Sequence, residues 1–95
     1  MVEYQLHTSS ITGDHFYVSF TDVKGDTITN HEHDGWKYSF STTKPFNAYL
    51  KAQVYPIDIY DLTIKILVDG KVVKQTSAST ASGANTIISI ENKVE

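Results

Sequence analysis

Apolar residues recur at every second position along most of this chain, and no window carries the 3.6-residue period of an amphipathic helix. In "VEYQLH", Val2, Tyr4 and Leu6 share one face while charged and polar residues take the other. "HFYVSFTDV" sets Phe16, Val18 and Phe20 against Tyr17, Ser19 and Thr21, and "GWKYSFS" sets Trp36, Tyr38 and Phe40 against Lys37 and Ser39. "PFNAYLKAQVY" sends Phe46, Ala48, Leu50, Ala52 and Val54 inward and Asn47, Tyr49, Lys51 and Gln53 outward. Side chains alternate across a strand, so the pattern is that of half-buried strands in sheets with one wet face.

Turn chemistry divides these strands. In "LTIKILVDGKVVKQT", Leu62, Ile64, Ile66 and Val68 share a face and Asp69-Gly70 follows. A type I′ turn needs φ > 0 at both central residues, which Asp-Gly supplies at low cost, so this stretch reads as a hairpin. "TDVKGDTIT" is a second hairpin candidate around Lys24-Gly25-Asp26, and "NTIISIEN" supplies a last strand. Seven to eight short strands with turn signals roughly every ten residues predict a sandwich or small barrel. Residues 76–84, "TSASTASGA", are small and hydroxylated, and read as a flexible loop. No boundary or repeat divides residues 1–95, so a single domain is expected.

Composition narrows the function. All eight basic residues are lysine, the formal net charge is −3 and no run of lysines occurs. Nucleic-acid binders need a cationic footprint and favour the arginine fork, so that class is not expected. The chain has no cysteine, which excludes disulfides, thiolate metal sites and a cysteine nucleophile. No stretch approaches the roughly 20 apolar residues of a helical membrane span. "MVEYQL" enters a strand pattern at once rather than a leader. Export would therefore place a leader ahead of Val2 and make Met1 an added start. Ser and Thr total twenty residues without a G-x-S-x-G motif, and the acids are scattered over turns and outward positions. A non-enzymatic protein without a cofactor is the expectation.

Two constellations carry candidate chemistry. In "NHEHDGW", His31 and His33 stand two apart and project to one side of an extended chain, with Asp34, Asp14 or His15 able to complete a metal site. The alternative is a solvated connection with Asp34-Gly35 as a turn, delivering the chain to Trp36. Tyr17, Tyr49, Tyr55 and Tyr60 fall on outward or border positions, where they can stack on sugars or dock a protein. Cross-strand pairing is their structural alternative. Lys37, Lys51, Lys65 and Lys74 point outward as well, as charges that keep strand edges from pairing.

"AYLKAQ", then "LTIKILVDGKVVKQTSAS" and "SGANTIISI", resembles the soluble domain of the mycobacterial small membrane proteins, the MmpS family. The opening strand "VEYQLHTSS", the "VSFTDVKGD" hairpin and a strand beginning at a tryptophan fall in matching order, so the resemblance covers most of the chain. It implies an all-β, immunoglobulin-like antiparallel β-sandwich, exported to the periplasm or cell surface and tethered to a membrane by a segment not present here. It also implies service as an accessory to a transporter in the cell envelope, in the manner of MmpS; similar domains also look like parts of exported bacterial lipoproteins whose role is unassigned. The family commonly carries a cysteine pair whose places fall here near Ile64 and near Ile88 or Ile90, where hydrophobic packing replaces the bridge. Gly35 precedes Trp36 where the family has proline. A carbohydrate- or small-ligand-binding module using the tyrosines, and a metal-binding protein using His31 and His33, are the rival readings.

Overall fold

The computed structural model describes residues 1–9, 16–43, 45–55, 59–81 and 83–94. They form eight strands: β1 (Val2–Thr8), β2 (Phe16–Thr21), β3 (Thr27–Glu32), β4 (Lys37–Phe40), β5 (Phe46–Val54), β6 (Asp61–Val68), β7 (Lys71–Ser79) and β8 (Thr86–Val94). Two four-stranded sheets result, ordered β4-β1-β6-β7 and β3-β2-β5-β8, with every pairing antiparallel. The smallest extent of the molecule, 16 Å, suits two packed layers, since stacked sheets lie about 10 Å apart. This is the antiparallel β-sandwich that the alternation and the resemblance predict.

The inward residues of β1, β2, β5 and β6 are those the alternation assigns, and together with Ile90 and Val94 of β8 they make one buried cluster. Ile64 and Ile90 are buried, and Ile88 packs against the same cluster. Aromatic rings dominate one side of the core. Phe20 lies 5.6 Å from Tyr4, 5.3 Å from Trp36 and 4.8 Å from Tyr38, and Phe40 lies 5.4 Å from Phe46, all ring centroid to ring centroid. Such tilted and edge-on pairs add to the area they bury. Buried Tyr4 reaches from the first sheet to the second, where its hydroxyl donates to the Thr21 carbonyl at 2.7 Å. That bond satisfies the one polar atom of an otherwise apolar side chain at the centre of the sandwich.

Both hairpins form as their turn residues require. Asp69 and Gly70 have φ of 51° and 82°, the two positive values of a type I′ turn. In the β2–β3 loop, Asp22 Oδ1 accepts from the Lys24 and Asp26 amides at 2.9 and 3.0 Å, closing the loop with a side chain as well as the backbone.

Four expectations need correction. β7 runs on to Ser79, so residues 76–79 are strand rather than flexible loop. Its small residues are held by hydroxyl contacts: Ser77 Oγ lies 2.8 Å from Thr63 Oγ1, and Ser79 Oγ donates to Asp61 Oδ1 at 3.0 Å. Ser19 and Thr21 point away from the core yet are buried, because β2 is an inner strand with neighbours on both flanks. Tyr60 is only 5% exposed; it precedes β6 and turns edge-on toward Phe16, ring centroids 6.4 Å apart. Lys51 and Lys65 lie on the inner strands β5 and β6, and Lys74, although on the edge strand β7, pairs with buried Ile66 and so shares the inward side of its sheet; of the four, only Lys37 is an outward lysine on a sheet edge.

Candidate functional site

Register brings outward residues from four strands onto one surface, the outer face of the sheet β3-β2-β5-β8. His31 pairs with Tyr17, Tyr17 with Gln53, and Gln53 with Ile87, which makes one row across the sheet. The next row is Thr29, Ser19, Lys51 and Ser89. The third joins Thr27 and Thr21 on one side with Tyr49 and Glu91 on the other, and Asn47 pairs with Lys93 beyond it. Three of the four singled-out tyrosines are thus associated with one sheet. Tyr17 and Tyr49 stand on its outer face, and Tyr55 directly follows the end of β5 that carries Gln53. Tyr60 belongs to the core and takes no part.

The two ends of this face differ in chemistry. At the Gln53 end, Tyr17 is 51% exposed and Ile87 57%, flanking Gln53 in one row, and Tyr55, 65% exposed, follows the same end of β5. His31 meets Tyr17 edge-on with ring centroids 4.2 Å apart, which steadies the tyrosine ring without covering it. At the other end, a shallow depression of about 510 Å³ lies among Thr21, Asn47, Tyr49, Glu91, Asn92 and Lys93. Across the middle row, Ser19 Oγ and Thr29 Oγ1 lie 2.8 Å apart and bind their strands together. The surface can therefore recognise a ligand by area at one end and by hydrogen bonds at the other, on a rigid sheet that needs no reordering to bind.

The histidine segment is the crossover from β3 to β4, which carries the chain from one sheet to the other. Trp36 donates its amide to the His33 carbonyl at 3.1 Å around Asp34-Gly35, with Gly35 at φ 86°, so the expected turn is present. Asp34 Oδ1 accepts from the Thr8 amide at 2.7 Å and lies 3.5 Å from His7 Nδ1, pinning the turn onto β1. His31 meanwhile belongs to the outer face of the other sheet. Among the described residues no three of His, Cys, Asp and Glu gather as metal ligands would. Asp14 and His15 lie outside the described residues.

Sequence reasoning missed Ile87. Its signal was the adjacent pair Ile87-Ile88 in a period-two strand, since only one of two neighbours can face the core. No family model matches the chain, and no curated protein is significantly similar to it.

Proposed function

We propose that this chain is a non-enzymatic β-sandwich module of the bacterial cell envelope, exported and held at a membrane or lipid by a tether, that docks a partner protein in the manner of an MmpS-like transport accessory. The observation that carries the docking is the exposed pair Tyr17 and Ile87 flanking Gln53, with exposed Tyr55 just beyond the same end of β5. Large apolar side chains clustered on a rigid face lose water on contact and gain little from staying exposed. Tyrosine is the residue type that recurs at binding hot spots, because it offers wide contact area with few rotatable bonds and a polar tip. Polar Gln53 between Tyr17 and Ile87, and His31 and Lys51 beside them, would fix orientation. Compartment, tether and transporter partnership come from the resemblance of "LTIKILVDGKVVKQTSAS" and its flanking strands.

The test is site-specific photocrosslinking of the tethered full-length protein in its own cells. A crosslinking residue at Tyr17 or Ile87 should capture one envelope membrane protein, identified by mass spectrometry. The same residue at Lys65, on the outer face of the other sheet, should not. Ile87→Glu should abolish capture from Tyr17 without lowering the unfolding midpoint, because Ile87 is surface-exposed. Equal capture from both sheets, or capture that survives Ile87→Glu, would remove this end of the face as the docking surface.

A further inference from the structure

The polar end of the same face has a chemistry of its own. Tyr49 and Glu91 pair across β5 and β8 and stand between two depressions. The first, of about 510 Å³, has Thr21, Asn47, Asn92 and Lys93 as its remaining polar lining. The second, of about 320 Å³, adds Lys74, Ser89 and Ile90. Tyr49 and Glu91 line both depressions, so a ligand that occupies the two is longer than one ring.

We propose that the Tyr49–Glu91 ridge and its two flanking depressions bind an acidic oligosaccharide. Hydroxyl, amide, carboxylate and ammonium groups surround a single phenol ring, with only Ala48 and Ile90 as apolar lining. An apolar ligand would leave those polar groups without partners, at a cost that the one ring does not offset. A sugar offers both kinds of surface: hydroxyls for the amides and the carboxylate, and a C–H face for the aromatic ring. The charge balance selects an anion. Lys74 and Lys93 line the depressions, and Lys51 lies two residues from Tyr49 on the same strand face, opposite Ser89. Lys74 and Lys51 thus stand beside one glutamate, on a protein whose formal net charge is −3. A local cationic excess on an acidic protein attracts a carboxylate-bearing chain and orients it along the ridge.

Calorimetric titration of the protein with hexagalacturonate, hexaguluronate and a hyaluronan hexasaccharide tests this, with a neutral galactan hexasaccharide as the reference. At least one acidic hexasaccharide should bind, about tenfold more tightly than the neutral one at low salt. Tyr49→Ala should weaken that binding about tenfold and Lys74→Gln about threefold, while Lys37→Gln on the other sheet leaves it unchanged. Far-UV dichroism and the melting temperature establish that each variant is folded. Three outcomes overturn the proposal: silence from all three acidic sugars, binding indifferent to Tyr49→Ala, or a hexaglutamate peptide that binds as tightly as the best sugar. The docking surface is read by crosslinking at Tyr17 and Ile87, so either site can fail without the other.

Discussion

Replacing Tyr4 by phenylalanine removes a single oxygen from the middle of the sandwich. The ring would keep its neighbours Phe20 and Phe40, at 5.6 and 5.9 Å between centroids, so the loss is confined to the hydrogen bond. That bond is buried and 2.7 Å long, and without it the Thr21 carbonyl loses a donor inside the protein. The expected cost is about 1–2 kcal/mol near pH 8. The gap should then close in alkali. Burial raises the Tyr4 pKa above the ordinary tyrosine value, a backbone hydrogen bond from Tyr49 opposes part of the rise, and the charges of Tyr38 and Asp22 add to it. The unfolded chain releases this proton near its ordinary pKa of about 10 while the folded chain retains it. The stabilisation is therefore complete below about pH 10 and falls by about 1.4 kcal/mol for each pH unit above that. Tyr4→Phe has no such proton to lose, so wild type and variant should be nearly equal in stability by about pH 11. Urea unfolding followed by far-UV dichroism at pH 8, 10 and 11, at matched ionic strength, reads the gap directly. A gap as large at pH 11 as at pH 8 would refute the buried, proton-retaining phenol, and no gap at pH 8 would refute the value of the cross-sheet bond.

Three further changes probe the frame. Gly70→Ala, at φ 82° in the β6–β7 turn, should cost about 1 kcal/mol in urea unfolding, and Gly70→Asn should cost less because asparagine tolerates the left-handed region. Asp22→Ala strips two acceptor contacts from the β2–β3 loop and should cost about 1–2 kcal/mol, with faster amide exchange at Lys24 and Asp26. Phe20→Ala removes the ring that meets Tyr4, Trp36 and Tyr38, and should cost about 3–5 kcal/mol, a large part of the stability of so small a domain.

The alternation made the inner face legible because a strand's period is strict and its register fixes every side chain at once. Val2 to Leu6, Phe16 to Phe20, Phe46 to Val54 and Leu62 to Ile66 all bury the residues the pattern assigns. What the pattern lacks is knowledge of neighbours. Ser19 and Thr21 alternate outward but are covered, because strand order places β2 between β3 and β5. Tyr60 stands just outside a strand, where no period applies, and the end of the sandwich takes it in. "TSAS" is small and polar enough to read as loop, and becomes strand only because β6 presents Thr63 and Asp61 to its hydroxyls. The candidate site has the same history. Tyr17 and Tyr49 are far apart in sequence, and only the pairing of β2 with β5 shows that they share a surface.

Side-chain size explains why the polar end of that surface includes residues of both sheets. On the β3–β4 side, Trp36, Tyr38, Phe40 and Phe20 stand between the layers, and no Cα of β3 comes within 8 Å of β4. On the opposite side the inward positions carry smaller groups, Ala48, Ala52 and Ile90, and β8 approaches both β6 and β7 to within 8 Å between Cα atoms. The layers thus form a wedge, spread by rings at one edge and drawn together at the other. Where they converge, the edge strand of one sheet stands beside the edge strand of the other. Lys74 of β7 then lines a depression with Tyr49, Ser89 and Glu91 of the facing sheet. The aromatic packing that fills one side of the core is accordingly part of what builds the surface at the other. Enlarging Ala52 to leucine, which would wedge the close side open, should weaken acidic-saccharide binding even though Ala52 is buried and touches no ligand. The comparison is made with Leu50→Met, a volume-conserving change in the same buried row. If Ala52→Leu folds and binds as tightly as Leu50→Met, convergence of the sheets is not what positions Lys74.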